Sequence, residues 1–146
     1  MKSNAVKSWS APLHNKKPRS PRIDREGNEQ TAFFTWLQLQ HPSVFDIAYH
    51  TPNGGHRSKS EGGRLKGQGV KAGVPDVCIA LAKGGYFGLY IEFKATPPHD
   101  SAVSSSQYDW LINLEKNGYK TVVCKGLDSL MAEVEAYLKL PDTITV

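Results

Sequence analysis

Hydrophobic and polar positions along the chain change period several times, and each change marks an element. Phe33, Trp36 and Leu37 recur at helical spacing until His41-Pro42 stops the pattern, and Asn28 is placed to cap the helix they define. Glu29 shares that face, four residues before Phe33. "VFDIAYH", residues 44–50, reads as a strand, and "TPNGG" after it as a turn. Residues 56–73, "HRSKSEGGRLKGQGVKAG", are too glycine-rich for a helix throughout and too polar for a strand. They predict a long loop, with room for one helical turn around Arg64, and a loop of this length usually serves a function. Two strands follow, 74–81 and 87–95, joined at Lys83-Gly84-Gly85. "SSSQ" at 104–107 predicts a capping box that opens a helix with Gln107, Trp110, Leu111 and Leu114 on one face and Gly118 at its end. The strand "YKTVVC", a turn at Gly126 and a helix over 128–138 with Leu130, Met131, Val134 and Leu138 inward complete the order α-β-loop-β-β-α-β-α.

The two central strands break the apolar pattern with charge. Side chains alternate along a strand, so Asp76, Cys78 and Ala80 share one face, and Glu92 and Lys94 stand together opposite Ile91 and Phe93. A hairpin symmetric about Gly84 sets Asp76 directly across from Glu92, whereas a slip of one residue mixes apolar with acidic faces. The favoured register therefore brings two carboxylates within about 5 Å at Cβ. Such a pair repels itself unless something positive lies between, and Lys94, one pleat along, answers this in part. A hard divalent cation answers it better, with the Phe93 carbonyl as a further oxygen ligand; the other reading is a surface-exposed Asp-Glu-Lys salt bridge.

Charge elsewhere is segregated, which matters more than the net of +4. Residues 1–26 hold seven Lys/Arg against two acids, residues 56–73 hold five against one, and the remainder six against eleven. Residues 1–26 lack periodicity and are rich in Ser and Pro, the composition of a basic, disordered tail, which leaves 27–140 as one folded domain. Two basic segments beside an acidic body point to a polyanion partner; for the tail alone, solubility is the competing explanation. Within residues 56–73 the cations are Arg57, Lys59, Arg64, Lys66 and Lys71. No P-loop spacing occurs. Cys78 and Cys124 sit apart in apolar runs, so they read as core residues in a reducing compartment, not as zinc ligands. No run approaches a membrane span and no signal peptide is evident, so an intracellular protein is expected.

Pro75-Asp76 followed after a hairpin by Glu92-Phe93-Lys94 resembles the signature of the PD-(D/E)xK nuclease superfamily. Together with Glu29-Gln30, "HTPNGGHRS", "GVKAGVPDV", "YIEFK" and "SSSQYDWLINLEKNGY", the match extends over roughly residues 27–138 and resembles the virus-type replication-repair nuclease (VRR-NUC) domain in its stand-alone phage and bacterial form. The resemblance implies an α/β (α+β), restriction-endonuclease-like core, a mixed sheet flanked by helices. It also implies Mg²⁺, for which Mn²⁺ substitutes, held by Asp76, Glu92 and the Phe93 carbonyl, with Glu29 completing the shell directly or through water. Helix-dipole stabilisation is the competing explanation for Glu29. Lys94 orients or deprotonates the attacking water; Gln107 contacts substrate or holds Lys94, its rival explanation being the capping box. His50 and Asn53 end a strand near the site and are placed to touch DNA, although a strand-end His and a turn Asn also explain themselves. The family further implies a homodimer that hydrolyses phosphodiester bonds in branched, four-way-junction-like DNA, with no small-molecule cofactor. The alternatives are a less selective nickase or single-strand nuclease, and a nucleic-acid-binding accessory protein that cuts nothing.

Overall fold

The computed structural model describes residues 23–52 and 58–143, so most of the basic tail, with Asn53 and Arg57, lies outside the described residues. Helix α1 (Arg25–Gln40) starts earlier than its apolar stripe requires. Its cap is Asp24, not Asn28: an Asp24 carboxylate oxygen accepts the Gly27 N–H at 2.9 Å. Gly27 makes this closure feasible, because a Cβ there would lie 2.2 Å from Asp24 Oδ2.

Residues 44–50 are not one strand. Pro42, pre-set for a first helical position, starts a short turn of helix α2 (Pro42–Phe45), and only Ala48–His50 forms strand β1. The 56–73 segment is more helical than expected as well. Helix α3 (Lys59–Gly67) is capped by Ser58, whose hydroxyl accepts the Glu61 N–H at 3.2 Å, and none of its residues is buried. Strands β2 (Val77–Ile79) and β3 (Leu89–Lys94), helix α4 (Ser105–Lys116), strand β4 (Lys120–Lys125) and helix α5 (Leu127–Leu138) follow.

The sheet runs β1-β2-β3-β4, antiparallel except for the parallel β3–β4 pair that α4 connects. The β2–β3 register is the one centred on Gly84: Val77 pairs Ile91, Cys78 pairs Tyr90 and Ile79 pairs Leu89. Val77, Ile79, Leu89, Ile91 and Phe93 point to one face and pack with Phe33 and Leu37 of α1 and Leu130, Val134 and Tyr137 of α5. Each of these large side chains, fully withdrawn from water, contributes on the order of 1.5–3 kcal/mol. The opposite face carries Cys78, Tyr90, Glu92 and Lys94, and α4 covers only part of it. The fold thus separates a dry apolar side from a polar side on which charge converges.

Candidate active site

Asp76 stands just before β2, where the Val77–Ile91 pairing extended by one residue sets it across from Glu92. Three contacts fix it. Its carboxylate Oδ2 accepts the Phe93 N–H at 2.9 Å, and its carbonyl accepts the Thr51 N–H and the His50 ring Nδ1–H, each at 2.8 Å. Because a carbonyl can only accept, the last bond puts a hydrogen on His50 Nδ1, at the exposed strand end.

The cluster is no surface salt bridge: Glu92 is 0% exposed and Lys94 5%. Lys94 Nζ donates to Glu92 Oε1 at 2.8 Å, and Gln107 Nε2 donates to the same oxygen. Among the described residues Glu92 Oε2 is buried without a hydrogen-bond partner. Burial pushes the Glu92 carboxyl up to about 7; the hydrogen bond from Lys94 opposes this, and the charge of Asp76 reinforces it. A buried carboxylate oxygen left without a donor, beside a second carboxylate, is what an electrophile would satisfy.

Gln107 makes the capping box and also reaches the cluster, but it holds Glu92 where Lys94 was expected. Its Oε1 accepts the Ser104 N–H at 2.8 Å, completing the capping box of α4, while its Nε2 grips Glu92 and not Lys94. The helix cap therefore fixes which amide atom faces the acid.

At the end of β3 two acids of α1 approach successive residues, Ala95 and Thr96. Glu29 accepts from Thr96, both from the N–H at 3.2 Å and from the hydroxyl at 3.1 Å. Glu26, one turn earlier, lies beside Ala95; burial raises its carboxyl, the Asp76 charge adds to the rise, and Lys94 and the Ala95 backbone counter it. Glu26 is thus the α1 acid whose charge is felt inside the cluster, and sequence reasoning missed it. The signal was present, since Glu26, Phe33 and Leu37 follow the spacing i, i+7, i+11 of one helix face.

In β3 the carbonyls of Gly88 and Lys94 accept from β4-side N–H groups, so the intervening Phe93 directs its N–H and carbonyl toward the Asp76 edge. Among the described residues no three His, Cys, Asp or Glu side chains converge into a cage. Two carboxylates and one carbonyl suit Mg²⁺, which commonly keeps several waters and takes its remaining oxygens from a phosphate. Lys59, Arg64 and Lys66 stand exposed on α3. The segment after α3 is pinned to α4, where Trp110 Nε1–H donates to the Ala72 carbonyl at 3.0 Å and Lys71 Nζ lies 5.9 Å from the Trp110 ring centre.

A mixed sheet with flanking helices, carrying Pro75-Asp76 at the entry to β2 and Glu92-Phe93-Lys94 on the facing β3, defines a restriction-endonuclease-like nuclease domain. The sequence profile of the VRR-NUC domain matches residues 24–128, and the chain belongs to that family. A solved structure described as a VRR_NUC domain protein superposes with a TM-score of 0.71 and is 34% identical, covering 84% of this chain and 94% of its own. No curated protein matches the chain at comparable stringency. Among the described residues no helix is long and apolar enough to cross a membrane.

Proposed function

We propose that this nuclease domain is a Mg²⁺-dependent, structure-selective endodeoxyribonuclease that hydrolyses phosphodiester bonds in branched DNA of the four-way-junction type and works as a homodimer. The observation that carries the metal reading is the Oε2 of Glu92, buried and without a hydrogen-bond partner among the described residues, on a carboxyl that feels the charge of Asp76. Asp76, Glu92 and the Phe93 carbonyl would hold the ion, with Glu26, in preference to Glu29, on its outer side. Bound there, Mg²⁺ supplies Lewis acidity for in-line attack of water on phosphorus and neutralises the charge that develops. Lys94, held by Glu92 within the same cluster, orients the attacking water and donates to a phosphate oxygen. Gln107 keeps Glu92 from turning away. A homodimer would give a junction one such site for each of two strands.

Labelled junction, flap, nicked and linear duplex DNA incubated with Mg²⁺, Mn²⁺ or EDTA test the reading. Cleavage should require the metal, favour the branched substrates and vanish in Asp76→Ala. Equal cutting in EDTA, or undiminished turnover by Asp76→Ala, would refute the assignment. Equal rates on all four DNAs would leave a nuclease but remove the structural selectivity.

A further inference from the structure

The sheet face that carries Asp76, Glu92 and Lys94 continues, one pleat repeat further along the strands, into a row of aromatic rings. Tyr49 of β1 pairs with Cys78 of β2, which pairs with Tyr90 of β3, so the three side chains rise from the same face in one line across the sheet. Tyr119, just before β4, extends the row: its ring meets Tyr90 edge-on at 5.3 Å and Phe87 at 6.0 Å. Cys78 is buried beneath, whereas Tyr49 is 50% and Phe87 59% exposed. The phenols of Tyr49 and Tyr90 and the Cys78 thiol lie close enough to perturb one another, so the two rings gather about Cys78. Both phenols are held above their ordinary range, Tyr49 chiefly by the hydrogen bond to Cys78 and Tyr90 chiefly by burial, and so add no negative charge to the face.

We propose that this row is a stacking platform for unpaired nucleobases of the DNA strand adjoining the scissile phosphate, an inference that rests on the nuclease reading above. Its continuity with the catalytic cluster names the occupant. Cys78 and Tyr90 each lie two residues from Asp76 and Glu92, about 7 Å along a strand, a step that one extended nucleotide spans. A phosphate at the acids therefore delivers the neighbouring base to the rings. Aromatic side chains on a sheet recognise any base through its π-face, but in a duplex those faces are already stacked. The platform accordingly serves substrates with unpaired nucleotides beside the cut and gives no advantage on continuous duplex.

The test uses the full chain in EDTA, with anisotropy of a labelled single-stranded oligonucleotide and of its duplex, and Tyr49→Ala, Tyr49→Trp and wild type compared. Tyr49 is half exposed, so its removal should leave thermal unfolding near wild type. Tyr49→Ala should weaken single-strand binding about fivefold or more and leave duplex binding unchanged, while Tyr49→Trp retains or improves single-strand affinity. Equal single-strand affinity for wild type and Tyr49→Ala, or a parallel loss on both DNAs, overturns the platform, as does a wild type with no single-strand affinity. Mg²⁺-dependent cutting by wild type, scored separately, keeps the two readings apart: a protein that cuts DNA but ignores Tyr49→Ala loses only the platform.

Discussion

Burial raises the Glu92 carboxyl from its ordinary 4.5 to about 7, so between these values the folded protein holds a proton that the unfolded chain has released. Its favourable contribution is complete below the lower value and disappears as pH rises through the upper one. Without divalent metal, stability should therefore fall from about pH 5 to about pH 8, and Glu92→Gln, which cannot ionise, should flatten that fall. Urea unfolding of both proteins in EDTA checks the slope; an unchanged slope in the variant would show that Glu92 is ordinary in solution. The α1 acids separate in a similar way. Glu26 feels Asp76 and Lys94, whereas Glu29 is occupied by Thr96. Glu26→Gln should lower Mg²⁺-dependent cleavage about 10- to 100-fold, the usual cost of disturbing a metal's outer partners. Glu29→Gln should instead cost about 1 kcal/mol of stability with little change in rate. The reverse ranking would restore Glu29. At this scale the sequence made Asp76, Glu92 and Lys94 legible because a two-residue period leaves few registers open. It hid Glu26 because a cap placed at Asn28 pushes that acid outside the helix.

Elements whose existence rests on burial were easier to read than those held by local contacts. Strands β2 and β3, α4 and α5 occur where apolar period and capping agree, although both strands are shorter than their apolar runs. Helix α3 buries nothing, so no hydrophobic stripe announces it; Ser58, Glu61 in the first turn and basic residues in the last hold a helix that carries Gly62 and Gly63. Those glycines meet no heavy atom within 4 Å at a built Cβ, and Gly62→Ala should stabilise α3 by up to about 1 kcal/mol. Gly73 is the opposite case. It sits at φ +81°, and a Cβ would lie 2.7 Å from the Ser106 carbonyl carbon, where the segment leading to Asp76 docks on α4. Gly73→Ala should cost about 1–3 kcal/mol and displace Asp76, reducing cleavage while Gly62→Ala leaves it intact. Thermal unfolding and initial rates on one DNA substrate decide the pair, and a Gly73→Ala enzyme that cuts normally would show that this docking does not position the acid.

Across the whole molecule, charge is arranged so that the acids cluster on one sheet face while Lys59, Arg64, Lys66 and Lys71 lie exposed on α3 and on the segment that returns to Asp76. Residues 1–22 add six further cations and no acid. Phosphates contacted from either place release counterions, and each adds close to one unit to the salt slope of binding. The cations of α3 and Lys71 lie 5 to 17 residues before Asp76 in the sequence, inside the domain, whereas five of the six N-terminal cations precede Glu26 by seven residues or more and Arg22 by four. Replacing Lys59, Arg64, Lys66 and Lys71 together by Ala should weaken junction binding and flatten its salt slope by up to about three to four units, equally for different base sequences, because phosphate contacts carry no sequence information. Removing residues 1–22 should flatten the slope less. Junction affinity measured across a salt series for wild type, the fourfold variant and the truncation gives the comparison. If the truncation takes most of the slope and the fourfold variant keeps it, the DNA is held by the N-terminal segment and α3 is a bystander.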